Sequence, residues 1–202
     1  MVPIRKFYEK GMGCAFKVPV ISVPNFYRSN FIQRGRIKKI IDKNYEKYFP
    51  WEGNPNYMNF PILDDTKFFD KLYAKFLKTS KKMFDGFTVA SNNSSKCWAY
   101  RGNCVDRGRR ELKWWHNHSK SSTINAVYYL QVYDAGISFL GADNKVVDYL
   151  PKNDELIVFP SYLNHAAQPN TLQKYRYSVN MEILTDEPTS NLFSRVFKNG
   201  FS

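Results

Sequence analysis

All three histidines of this chain fall in two places: His116 and His118 one residue apart, and His165 further on. On an extended chain, side chains two positions apart share a face, so the imidazoles of His116 and His118 would point together and Asn117 away. A nitrogen from His165 would complete a facial set of three ligands and leave positions open for a cosubstrate and oxygen. Hydrogen-bonded structural histidines would show the same spacing, so spacing alone leaves the two readings balanced.

Arg176 tips that balance. Along Tyr175-Arg-Tyr-Ser-Val-Asn-Met-Glu182, Arg176, Ser178, Asn180 and Glu182 share one face of a strand, and Tyr177, Val179, Met181 and Ile183 share the other. A buried guanidinium is costly unless paired. A carboxylate is its natural bidentate partner, with the Ser178 hydroxyl as a further donor. The competing reading is an outward polar stripe on an exposed strand.

Taken together, His116-Asn-His118, Ala126-Val-Tyr-Tyr-Leu130, Leu156-Ile-Val-Phe-Pro-Ser-Tyr-Leu-Asn-His165 and Arg176-Tyr-Ser178 resemble the iron(II) and 2-oxoglutarate-dependent oxygenases. The nearest group is the prolyl-hydroxylase-like branch of bacteria and tailed phages, and the resemblance covers residues 95–184. It implies a double-stranded β-helix with iron at one mouth, with His116 as first ligand and His165 as the distal histidine, and His118 stands where the remaining ligand of that set is expected. It also implies a clamp for the far carboxylate of 2-oxoglutarate made by Arg176 and Ser178. Either Tyr128 or Tyr129 adds a phenol, since only one of the two can face inward. The implied activity is hydroxylation of a C–H bond with release of succinate and carbon dioxide.

The departure is at position 118, where many members carry a carboxylate. Either three neutral nitrogens bind the metal, or His118 is not a ligand and the carboxylate comes from elsewhere, with Asp143 and Glu111 as candidates. Nucleic-acid demethylases of the superfamily usually carry a second arginine six residues after the first, and here Glu182 stands in that place. A peptide or small molecule therefore ranks above an alkylated base as substrate. Two alternatives stay open: a cupin-like three-histidine dioxygenase that needs no keto acid, and a non-catalytic basic binding module.

The elements that must position these residues are legible as periodicity. Ile37, Ile40, Ile41, Tyr45 and Tyr48 recur at helical spacing in a first helix over Ile32–Tyr48 with a basic outer face. Phe68, Phe69, Leu72, Tyr73, Phe76 and Leu77 form the buried stripe of a second helix over Asp65–Phe84, with Asp65 as its cap. A strand over Ala15–Val23 precedes them. After residue 95 come short alternating segments over Cys97–Asn103, Leu112–Asn117, Thr123–Val132, Gly136–Leu140, Lys145–Tyr149, Glu155–Phe159, Asn164–Ala167 and Tyr175–Leu184. The fold class expected is α+β, a jelly roll or double-stranded β-helix with two N-terminal helices packed on one sheet.

One domain over 1–202 is expected, with a strand and supporting helices in 1–90, the β core in 95–184 and a surface-packed tail in 185–202. The net charge of +12 is uneven: residues 1–120 carry +14 and residues 121–202 carry −2. A field of that size draws nucleic acid or acidic partners, but a solvated helix face accounts for it more simply. Three cysteines without a C-x-x-C pair offer neither a disulfide framework nor a thiolate zinc site. No apolar run reaches signal-peptide or membrane-spanning length, so a soluble, cytoplasmic protein without a membrane partner is expected. Trp98, Trp114 and Trp115, close to His116 in sequence, read first as core, and the basic loop Arg107–Arg110 as a solvated turn.

Overall fold

The polar and apolar alternation read in residues 176–183 belongs to a strand buried on both faces, and the fold is arranged about it. The computed structural model describes residues 5–8, 19–48, 60–61, 67–93, 96–102, 115–141, 144–168, 170, 172 and 174–198. In chain order these form β1 (Arg5–Tyr8), β2 (Pro19–Val23), α1 (Phe31–Tyr48), β3 (Phe60–Pro61), α2 (Lys67–Met83), β4 (Lys96–Gly102) and β5 (Ile124–Gln131). There follow β6 (Ile137–Leu140), β7 (Val146–Tyr149), β8 (Glu155–Pro160), β9 (His165–Ala167), β10 (Arg176–Ile183) and α3 (Thr189–Lys198). The strands make two antiparallel sheets, of order β1-β2-β8-β5-β10-β4-β3 and β7-β6-β9. With three helices this is a jelly-roll-like α+β architecture.

Each face of the large sheet has its own core. On the outer face Ile124, Ala126, Tyr128, Val179, Met181 and Ile183 pack with Ile37 and Ile41 of α1, Phe69, Leu72 and Phe76 of α2, and Leu192, Phe193 and Val196 of α3. On the inner face Val127, Tyr129, Ile157 and Phe159 meet Ile137 and Phe139 of the small sheet. Burial on both faces explains why β5 reads Ile-Asn-Ala-Val-Tyr-Tyr-Leu-Gln rather than as a clean alternation.

The helices start and stop for local reasons. At α1, the Gln33 N–H donates to Asn30 Oδ1 (2.8 Å) and the Asn30 N–H to Gln33 Oε1 (3.1 Å), a reciprocal capping box. At the end of α2, Asp85 (φ 55°) and Gly86 (φ 83°) turn left-handed and the Gly86 N–H reaches back to Lys81 O at 2.7 Å. The proposed cap Asp65 lies outside the described residues. Lys39, Lys43, Lys71, Lys78, Lys81 and Lys82 are exposed, which makes the basic excess of these helices a solvated face. No described helix is long and apolar enough to cross a membrane.

Three features differ from the periodicity reading. The expected strand Leu112–Asn117 is, in its described part, a single bridge at His116. The edge strands β1 and β3 are too short to alternate visibly. The last stretch forms α3, whose Phe193 ring lies 4.8 Å from that of Phe84.

Candidate active site

The bridge at His116 brings the distant histidines together. The His116 N–H donates to His165 O (3.1 Å) and the His165 N–H to His116 O (2.9 Å), so the two residues sit opposite each other as in a ladder. His165 begins β9 and pairs with Phe139 of β6. His118 stands on the following turn, its N–H bonded to Ser161 O at 2.9 Å and its carbonyl accepting from the Ser121 and Ser122 N–H groups at 2.9 and 3.0 Å. Ring centroids are 4.3 Å (His116–His165), 5.1 Å (His116–His118) and 5.2 Å (His118–His165) apart. One ligand nitrogen from each lies within 4.8 Å of the others. His116 is exposed, His118 half-buried and His165 buried, so the group opens outward from the inner core.

Two of the rings are held so that one nitrogen stays available. His165 Nδ1 donates to Leu163 O at 2.9 Å, which leaves Nε2 as its lone-pair atom. Burial first, and then the neighbouring His116, lowers the His165 pKa to about 3, so at neutral pH the imidazole is in the uncharged form a metal requires. His118 Nδ1 lies 2.5 Å from Glu182 Oε1, with the same result for its Nε2. Phe159 packs edge-on to His165 at 4.7 Å, and the Trp98 ring lies 6.0 Å from that of His118.

Arg176, at the start of β10, is 2% exposed. Its Nη1 donates to Gly136 O (2.7 Å) and Gln168 O (2.9 Å), and its guanidinium lies 5.4 Å from the centre of the Tyr100 ring. Its Nε is buried with no partner among the described residues. An orphaned charged donor in a buried position normally marks a missing acceptor. Gly102, opposite Arg176 in the ladder, leaves room for it: a Cβ there would stand 3.3 Å from Nη2.

Strand pleat separates the two tyrosines. Tyr129 faces inward, opposite Ser178 and Glu155. Burial raises its pKa well above the ordinary value and outweighs the opposing pull of Arg176, so it is a phenol donor. Tyr128 faces the helices, with its hydroxyl on Asp154 Oδ1 (2.6 Å) and near Ser29 Oγ (3.2 Å). Tyr128 is therefore corrected out of the pocket; it braces the turn between β2 and α1. Ser178 is buried on the inner face, between Tyr129 and Tyr100 in the ladder. Asp143, Glu111, Trp114 and the loop Arg107–Arg110 lie outside the described residues. Trp115 is half-buried.

Several neighbours were not picked out by sequence. Glu155 is buried on the inner face, bonded by Ser22 Oγ, by Tyr149 OH at 2.6 Å and by the Lys152 N–H at 2.6 Å. Asn125 is 3% exposed, pairs with Glu182 in the ladder, and its Nδ2 is buried without a partner among the described residues. The carbonyls of Gly136 and Gln168 carry no sequence signal, because any residue supplies one. Glu182 had a signal: it shares the polar face of Arg176, and a carboxylate placed inside needs a partner.

No family model matches the sequence, and no curated protein matches it. Solved structures do. The chain aligns over 83% of its length with a prolyl 4-hydroxylase from Phytophthora capsici (TM-score 0.58, 12% identity), spanning 59% of that chain. It aligns over 83% with a Pseudomonas putida prolyl-4-hydroxylase (TM-score 0.56, 12% identity), spanning 93% of it. It aligns over 84% with HygX from Streptomyces hygroscopicus, solved with nickel and 2-oxoglutarate bound (TM-score 0.55, 10% identity), spanning 83% of it. The chain has the fold of solved prolyl 4-hydroxylases.

The donor set offers a group of imidazoles and, apart from it, donors for an anion. Three imidazoles, two of them fixed by carbonyl or carboxylate partners, could hold iron, nickel, copper or zinc alike. The Arg176 Nε orphan and the phenol of Tyr129 supply donors for an anion on the inner face.

Proposed function

We propose that this protein is a non-haem iron(II) and 2-oxoglutarate-dependent oxygenase built on a double-stranded β-helix, and that it hydroxylates a peptide or a small molecule. The observation that carries the reading is the placement of the clamp relative to the histidines. Arg176 is held by the carbonyls of Gly136 and Gln168, and Gln168 lies three positions beyond His165 in the same segment. At strand spacing that is about 10 Å. A metal–oxygen bond, a five-carbon diacid and a hydrogen bond laid end to end bridge that span.

His116, His118 and His165 would hold the metal through their available nitrogens. The Arg176 guanidinium, with the Ser178 hydroxyl and the Tyr129 phenol beside it, would bind the far carboxylate, fixing the keto acid in one orientation. Phe139, Phe159 and Ile157 keep water from the inner face. When bound, iron(II) and 2-oxoglutarate supply the oxidising chemistry, with succinate and carbon dioxide as coproducts.

The test is anaerobic addition of 2-oxoglutarate to the iron(II)-loaded protein, followed by the metal-to-ligand charge-transfer band, and then admission of oxygen with assay for succinate. The band and slow succinate formation are expected even without prime substrate. Absence of both would sink the reading. A second reading, a three-histidine dioxygenase that uses no keto acid, draws on a cluster that, among the described residues, consists of histidines alone. It predicts activity insensitive to Arg176→Ala, whereas the first predicts a large loss of 2-oxoglutarate affinity.

A further inference from the structure

We infer that Glu182 is the positioning residue of the metal centre: it aims the His118 ring and returns, one bond further out, the negative charge that position 118 lacks. This rests on the three-histidine site proposed above. The first reason is geometric. Because His118 lies on a turn and not in a strand, the sheet's pleat does not set the direction of its side chain; its backbone is tied to Ser161, Ser121 and Ser122, none of which fixes the ring. The ring packs near Trp98, His116 and His165, and the polar contact that sets which nitrogen faces them is Glu182 Oε1 at 2.5 Å from Nδ1.

Glu182 can do this because it is itself immobile. It sits in the middle of the large sheet, paired on one side with Asn125 and on the other with Lys96. Its backbone carbonyl accepts from Tyr73 OH at 2.8 Å, and its residue is 3% exposed. Its second oxygen, Oε2, has Ser121 Oγ at 3.5 Å. A carboxylate held so firmly behind an imidazole makes Nδ1 the donor, commits Nε2 to the ligand side and increases its basicity, as outer carboxylates do in histidine metal sites.

The second reason is charge. Three imidazole nitrogens bring no negative charge to a bound dication, and the buried carboxylate of Glu182 stands directly behind one of them. Glu182 therefore offsets the exchange of carboxylate for histidine at position 118 without becoming a ligand; it is not among the residues whose ligand atoms cluster.

The test is a double-mutant cycle read as cobalt(II) affinity, with no turnover involved. Dissociation constants are measured by absorption titration for the unsubstituted protein, Glu182→Gln, His118→Ala and the double variant, with circular dichroism to confirm that each folds. Glu182→Gln is chosen because it keeps the shape and removes the charge. The expected result is a loss of about 10- to 100-fold in affinity on Glu182→Gln, and a change of no more than about twofold when the same substitution is made on His118→Ala. Equal affinity of Glu182→Gln and the unsubstituted protein would overturn the role of Glu182 while leaving the metal site standing. An equally large loss on the His118→Ala background would also overturn it, since the carboxylate would then act on the metal directly. If the unsubstituted protein binds no cobalt, both the site and this inference fall.

Discussion

Removing the Arg176 guanidinium should separate two roles that coincide in one side chain. In Arg176→Ala the carbonyls of Gly136 and Gln168 lose their donor at 2.7 and 2.9 Å. A buried acceptor left unpaired costs about 1–3 kcal/mol, so two set the stability loss at roughly 2–6 kcal/mol, towards the low end if water enters. The loss in ligand affinity is of different origin. Truncating one partner of a buried, hydrogen-bonded charge pair costs about 2–5 kcal/mol, which corresponds to a rise in the 2-oxoglutarate Kd of roughly 30- to 4,000-fold. Arg176→Lys keeps the charge but not the planar fork; it cannot serve both carbonyls and the acid, and its Kd should fall between the two.

The assay is anaerobic titration of the iron(II)-loaded variants with 2-oxoglutarate, alongside urea unfolding of the metal-free proteins. The reasoning fails if Arg176→Ala, folded by circular dichroism, binds 2-oxoglutarate within about twofold of the unsubstituted protein. It fails equally if metal affinity falls in step with keto-acid affinity, since the histidines are held by contacts that do not include Arg176.

Gly136→Ala should weaken the same clamp from the other side. A Cβ there would stand 2.0 Å from Tyr149 O and 2.6 Å from Pro151 Cδ, so the backbone must shift. A destabilisation of about 1–3 kcal/mol in urea should accompany weaker 2-oxoglutarate binding with unchanged cobalt affinity; unaltered keto-acid binding would count against the clamp. Asp154→Ala tests the scaffold: its carboxylate accepts from the Arg28 N–H (2.7 Å) and Tyr128 OH (2.6 Å), and its φ is 67°. Urea unfolding should show a loss of about 2–5 kcal/mol, and a loss below about 1 kcal/mol would refute the bracing role. Acid should destabilise the metal-free protein through His165. Its folded pKa of about 3 is below the ordinary 6.5, so the unfolded chain takes up the proton first. The contribution is whole above pH 6.5 and is lost as pH falls towards 3, amounting to roughly 3 kcal/mol by pH 4.5. His165→Gln should show a correspondingly flatter pH dependence of urea stability, and equal slopes would refute the assignment.

Periodicity made α1, α2 and most of the strands legible because each buries a regular stripe or face. It could not show β1 or β3, which are too short to carry a pattern, and it treated residues 185–202 as a tail although Leu192, Phe193 and Val196 already had helical spacing. The histidine trio was legible for a partly mistaken reason. Period two puts His116 and His118 on one strand, yet they converge with His165 through one bridge and a turn, and the His118 N–H bond to Ser161 O that seats the turn comes from the fold and not from local sequence. Period two could show only that one of Tyr128 and Tyr129 faces inward, and the ladder opposite Ser178 supplied which.

The polar face of β10 was read correctly as a face but understood at one end only. In the sequence Arg176 stands out as the residue with a task, and Glu182 only as the place where a second arginine is absent. The two are opposite charges at opposite ends of one buried strand, with Arg176 held by the main-chain carbonyls of Gly136 and Gln168 and Glu182 touching His118 of the histidine cluster. A strand so polarised favours a guest of the opposite polarity, with its cation at the Glu182 end and its anion at the Arg176 end. A metal ion carrying a keto acid whose free carboxylate points away from it has that polarity. An arginine at position 182 would place a second cation beside the metal. Glu182 meets His118 directly and is not itself a member of the histidine cluster, so its carboxylate stands behind the imidazole and not beside its partner rings.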